Sequence, residues 1–197
     1  MRFRMLAVAA AMVLSASAHA TAWTWSDNFN SNAGGLNTTP SGWTISGENA
    51  TVDIIPDGGQ FNFLPGNGEF IDLDGSTGHA ATLTKTFTGL ADGEYALTFE
   101  LAGNHRDGGT EYTTVSISGG ADTHYTPGQN DDAYYTVYGH ASGGVLTFSF
   151  YDASNDNVGA LLDNVSVTAV PEPGTYALLV AGLGVVGVAA RRRRTQG

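Results

Sequence analysis

Residues 21–169 predict an all-β fold, a single antiparallel β-sandwich of the jelly-roll kind. Three observations carry that expectation. Apolar residues recur with period two and not with the helical period of about 3.6. Short β-rich runs are separated by clusters of Gly, Asn and Asp. No helical pattern of useful length occurs before the C-terminal tail.

Taken along the chain, the alternation is direct. Leu83, Lys85 and Phe87 alternate with Thr82, Thr84 and Thr86, and Tyr95, Leu97, Phe99 and Leu101 with Ala96, Thr98 and Glu100. Val115 and Ile117 alternate with Ser116, and Leu146, Phe148 and Phe150 with Thr147 and Ser149. Turns are marked by Asp57-Gly58-Gly59, Asp92-Gly93, Asp107-Gly108-Gly109 and Gly143-Gly144. About ten short strands are expected, with no domain boundary among them.

The ends of the chain have a different chemistry. Residues 1–20 read as a signal peptide: Arg2 and Arg4 precede an apolar run, and Ala18-His19-Ala20 fits the small-x-small rule of signal peptidase, so that Ala18 and Ala20 mark the cleavage site. Residues 170–197 form a three-part tail: Pro171-Glu172-Pro173, an apolar stretch over about 174–190, and Arg191-Arg192-Arg193-Arg194. As a helix that stretch would be about 25 Å long, the short end for a bilayer span. The arginines would stay on the cytoplasmic side of the membrane and leave the sandwich on the other side. Gly182-x-Gly184-x-x-Gly187 matches a dinucleotide fingerprint only as a string, because no strand precedes it and no crossover unit contains it.

Six of the eight basic residues lie in these two ends. The sandwich segment carries 18 acids and two bases, Lys85 and Arg106, a net charge of −16. Such a surface repels nucleic acid and anionic lipid and suits divalent cations. The absence of cysteine excludes disulfides, thiolate metal sites and cysteine nucleophiles. His79, His105, His124 and His140 lack zinc-ligand spacing, and no nucleophile elbow occurs. A non-catalytic chain is expected.

Two carboxylates share the parity of core residues: Asp163 with Leu161, Val165 and Val167, and Asp27 with Trp23, Trp25 and Phe29. A buried carboxylate needs a partner. Asp27 and Asp163 are therefore candidate ligands of a Ca²⁺ ion completed by backbone carbonyls. The alternative is a bulge that turns one outward, or backbone N–H groups that satisfy them. Asp72-x-Asp74-Gly75 and Asp152-x-Ser154-x-Asp156 imitate fragments of a calcium loop, with Asn157 where Gly is needed, and read as solvated acidic turns. For ligand binding, Asn104, Arg106, Tyr134 and Tyr135 are the candidates, because aromatic faces cover sugar C–H surfaces and amides and charges bond hydroxyls. Half-buried packing is the alternative for the tyrosines, and a pairing with Asp107 for Arg106.

Val170-Pro171-Glu172-Pro173, Gly182-Leu183-Gly184 and the terminal arginines together resemble the PEP-CTERM sorting signal of bacterial exported proteins. The resemblance implies processing by exosortase near Pro171-Glu172-Pro173, transient anchoring in the inner membrane, and a final place at the cell surface or in the extracellular matrix. Within the sandwich, Ile71-Asp72-Leu73-Asp74-Gly75, Tyr95 to Asn104 and Leu161 to Val167 resemble the galactose-binding-like jelly rolls of the DUF642 type, related to carbohydrate-binding modules. That likeness implies a structural calcium ion and a polysaccharide partner. A protein-contacting matrix component and a small glycan hydrolase are the alternatives.

Overall fold

The computed structural model describes residues 23–106, 109–154, 156–171, 174 and 181–186. Residues Ala22–Pro171 form one compact unit. Among the described residues twelve strands run through it where about ten were expected: β1 (Thr24–Asp27), β2 (Gly35–Thr38), β3 (Thr44–Ser46), β4 (Val52–Ile55), β5 (Phe70–Asp72), β6 (Thr82–Thr88), β7 (Gly93–Ala102), β8 (Thr113–Ile117), β9 (Thr123–Tyr125), β10 (Asp132–Ala141), β11 (Val145–Asp152) and β12 (Leu161–Ala169).

They make two antiparallel sheets, as the period-two alternation requires. The larger follows the order β10-β7-β12-β5-β4-β2, with β1 also on β12; the smaller follows β3-β6-β11-β8-β9. Strand β12 is flanked on one side by β7 and on the other by β5 at its start and β1 along its second half. The first and last strands are therefore neighbours.

The inner faces close on Leu83, Leu97, Phe99, Phe148, Phe150, Val165 and Val167, all buried. At one side this core is aromatic: Trp25 lies 5.1 Å from Phe87 and 6.0 Å from Trp43, ring centre to ring centre. Lys85 shares the inward parity of Leu83 and Phe87, and its Nζ sits 4.9 Å from the Trp25 ring and 5.5 Å from the Trp43 ring. A cation over aromatic faces is attracted by the ring quadrupole, so an inward lysine is tolerated there. Burial lowers its pKa and the Asp27 charge opposes that shift.

A second small core lies on the outer face of the larger sheet, where Ile55, Leu64, Phe70, Ala102 and Leu161 are covered by Phe61 and Phe63. This cover changes the meaning of the last strand. Asp163 opposes Glu100, and Leu161 opposes Ala102, so Asp163 lies on the same outer face as Leu161. The ladder shifts register between Asp163 and Ser166, with Asn164 at φ 49°. That bulge resets the alternation and returns Val165 and Val167 to the inner face. The expected shared parity of Asp163 with Val165 and Val167 is thus corrected, although Asp163 is buried completely, at 0% exposure.

The two acidic turns are also corrected: Asp72, Asp74 and Asp152 are buried. Most of their backbone donors come from the loop between β11 and β12. Asp74 Oδ2 accepts the backbone N–H groups of Asp156 and Asn157, each at 2.9 Å. Asp152 accepts from Ser154 and Ala160, and Asp72 from Asp74 and Gly159. A carboxylate that collects N–H donors can be buried where a bare one cannot. Gly159 has no room for a side chain, since a Cβ there would lie 2.6 Å from Asp72 Oδ1.

Strand β12 ends at Ala169, and the Val170 N–H donates to the Glu94 carbonyl at 2.8 Å. Pro171 follows and is exposed. The signal peptide with Ala18 and Ala20, the motif residues Glu172 and Pro173, and Arg191, Arg192, Arg193 and Arg194 lie outside the described residues. Residues 181–186 are helical. Among the described residues no helix is long and apolar enough to cross a membrane.

Candidate functional site

Strand β10 edges the larger sheet, and its alternation sorts the tyrosines. Tyr134 and Tyr138 stand outward at 62% and 57% exposure. Tyr135 turns inward, 4.4 Å from the Tyr125 ring and 5.9 Å from Phe99. It is a packing residue and not the ligand contact proposed from sequence. A four-residue step along the strand separates the two outward tyrosines, about 13 Å along the edge.

Beside them the outer face is small and hydroxylated. Thr136 opposes Thr98, which opposes Ser166, which opposes Ser26. Tyr138 opposes Ala96, which opposes Thr168, which opposes Thr24. The Oγ1 atoms of Thr98 and Thr136 are 2.9 Å apart, and those of Thr24 and Thr168 3.3 Å apart. The result is a shallow floor of hydroxyl and methyl groups, rimmed on one edge by two exposed rings.

A polar hub closes one end of this floor. Glu100 opposes Tyr134 on one side and Asp163 on the other and is only 5% exposed. Its Oε2 accepts Asn164 Nδ2 at 2.6 Å, and its Oε1 accepts Asn67 Nδ2 at 2.9 Å. Asn164 Nδ2 also lies 3.2 Å from the Tyr134 hydroxyl. Burial works to raise the Glu100 pKa, but hydrogen bonds from Asn164, Tyr134, Asp132 and Asn67 outweigh it and the net shift is downward. Its charge is therefore held, and its neighbours bear the consequence. The Tyr134 phenol is pushed up, first by its hydrogen bond to Glu100. Asp132 is raised by burial and by its bond to Glu100. Asp163 is raised to about 7, first by burial, then by the charges of Glu100, Asp27 and Asp132.

Beyond Asn164 a cleft of about 270 Å³ is lined by Ser26, Asp27, Asn28 and Asn164. Asp27 stands here, but both its oxygens already accept donors: the Phe29 N–H and Trp43 Nε1, each at 2.9 Å. Asp27 opposes Val165 on the inner face, whereas Asp163 opposes Glu100 on the outer face. The two carboxylates meet only across the bulge, near enough for their charges to interact. Among the described residues no three metal-ligating side chains converge, so a cation at the bulge would need backbone carbonyls for most of its shell.

Asn104 and Arg106 do not join the tyrosines. Asn104 is buried and donates to Glu111 at 2.6 Å. Arg106 reaches Asp72 in an ion pair at 2.5 Å, with its guanidinium 5.2 Å from the Phe63 ring. Both hold the covering loops together. The sequence offered Tyr138 beside Tyr134 and Tyr135 on the polar stretch but gave no signal for Glu100 or Asn164. Tyr138 was available from parity, since Tyr134, Thr136 and Tyr138 share one face of a regular strand.

Residues 169–194 match the PEP-CTERM protein-sorting motif, which marks the chain as exported. No curated protein matches the sequence. Several solved structures are similar in fold. A cleaved adhesin domain of Lys-gingipain from Porphyromonas gingivalis aligns at TM-score 0.52 and 13% identity, covering 76% of this chain and 99% of that one. A family 35 carbohydrate-binding module from Clostridium thermocellum aligns at TM-score 0.43 and 11% identity, over 64% of this chain and 90% of that one. A Clostridium thermocellum xylanase aligns at TM-score 0.46 and 16% identity, over 70% of this chain but only 27% of the enzyme. The likeness to the adhesin domain, at a TM-score of 0.52, agrees with a two-sheet antiparallel β-sandwich and extends no further than the fold.

Proposed function

We propose that this exported chain is a non-catalytic protein whose sandwich binds polysaccharide on the outer face of the larger sheet. The observation that carries the proposal is the pair of exposed rings, Tyr134 and Tyr138, on one face of an edge strand beside a hydroxyl-lined floor. Exposed aromatic rings cover the C–H faces of sugars, and Ser, Thr and Asn side chains bond their hydroxyls. Two rings set apart along a strand suit a short stretch of extended glycan better than a single sugar. The floor between β1 and β10 is made of Thr, Ser and Ala side chains with no cation among them, which argues for a neutral glycan rather than a polyanion.

Under the same proposal, exosortase cuts the tail near Pro171-Glu172-Pro173 after transient anchoring in the inner membrane, and the domain ends at the cell surface or in the matrix. The support is the matched motif and its place directly after β12, where Pro171 is exposed. A structural Ca²⁺ at the bulge is the proposed cofactor. It rests on two neighbouring carboxylates, Asp27 and Asp163, one of them fully buried.

The test is retention of the purified chain on a panel of immobilised neutral and acidic polysaccharides. Tyr134→Ala and Tyr138→Ala should each weaken retention by about threefold to tenfold, the worth of one aromatic contact. Retention that neither substitution changes would remove this face as the site. No retention on any glycan would move the protein to a matrix role through protein contacts.

A further inference from the structure

Tyr134 is the more exposed of the two rings, yet its hydroxyl is tied down. It is hydrogen-bonded to Glu100 and lies 3.2 Å from Asn164 Nδ2, which itself donates to Glu100 at 2.6 Å. An exposed tyrosine ordinarily leaves its hydroxyl to water and keeps its side-chain freedom. Here a nearly buried carboxylate joins four elements: β7, which carries it; β10 through Tyr134; β12 through Asn164; and the covering loop through Asn67.

Asn164 owes its position to backbone strain. It stands at φ 49° in the bulge, so its side chain leaves the regular alternation and sits between the Tyr134 rim and the cleft of Ser26, Asp27 and Asn28. Left-handed backbone at a residue other than glycine persists only where its surroundings hold it. Here the holding groups are Asp163 Oδ1, which accepts the Asn164 N–H at 2.6 Å, and Glu100.

We infer that Glu100 and the bulged Asn164 are positioning residues that fix the Tyr134 ring as a preformed sugar platform and set the end wall of the glycan track. This rests on the polysaccharide reading above. Holding the ring in place lowers the ordering cost of binding, so the loss on releasing it appears in affinity and not in fold.

The experiment uses the full chain and whichever neutral glycan retains it. Glu100→Gln puts an amide NH₂ among donors from Asn67 and Asn164 and cannot accept from all of them. Asn164→Gly keeps the left-handed backbone at no steric cost but removes the Nδ2. Each should weaken glycan binding about fivefold to tenfold, with the circular-dichroism spectrum unchanged. NMR titration of the tyrosine ring carbons, with the Tyr134 signal assigned from Tyr134→Phe, supplies a readout that a merely structural role would not move. The Tyr134 phenol should ionise at lower pH in Glu100→Gln than in the wild type, because the anion that raised it is gone. Wild-type affinity in a folded Glu100→Gln chain, or an unmoved Tyr134 titration, overturns the inference while leaving the Tyr134→Ala test of the site intact. A wild type that binds no glycan removes both.

Discussion

Replacing Asp163 by asparagine should stabilise the protein increasingly as pH rises. The Asp163 carboxyl is buried and its pKa is raised from 3.8 to about 7. Between those two values the native state keeps a proton that the unfolded chain has released, so unfolding free energy falls as pH increases. Each pH unit is worth about 1.36 kcal/mol, which sets a ceiling of roughly 4 kcal/mol across the whole window. The Asp163→Asn side chain would be neutral at every pH and keep an oxygen to accept the Asn164 N–H. From pH 5 to pH 8 the variant should therefore gain on the wild type by about 2–3 kcal/mol, or some 5–10 °C in Tm for a chain of this size. The assay is thermal and urea unfolding followed by tryptophan fluorescence at both pH values, in EDTA. A stability difference that does not change with pH would refute the reasoning, since it would mean that Asp163 is ionised in the native state throughout. Repeating the measurement at pH 8 with Ca²⁺ decides the cofactor: a bound ion would stabilise the wild type alone and reverse the order of the two proteins.

Arg106→Gln should destabilise the protein by about 3 kcal/mol, because it leaves Asp72 buried without its counter-charge. Adding Asp72→Asn should recover most of that loss in urea titrations. Lys85→Ala should cost about 1–2 kcal/mol through lost cation–π contact and stem packing, whereas Lys85→Met, which keeps the stem, should cost less. Changing Pro171-Glu172-Pro173 to alanines should leave the chain at its precursor length in the membrane fraction, visible by immunoblot, while the sandwich folds unchanged.

The sorting motif at the C-terminal end was legible because its signal is linear: a short motif, an apolar run and a charge cluster are recognised in sequence order, before or outside folding. The strands were legible for the same local reason, since side-chain direction in a regular strand follows from parity alone. Parity also separates Tyr134 and Tyr138 from Tyr135. What it could not locate was the bulge at Asn164, where one residue outside the ladder moves Asp163 to the opposite face from Val165 and Val167. Nor could it foresee that Asp74 is buried by N–H groups of Asp156 and Asn157, 82 and 83 residues away, or that Arg106 pairs with Asp72, 34 residues away. Those outcomes belong to tertiary structure, because burying a charge depends on which donors the completed fold brings to it, and local sequence carries no record of distant donors.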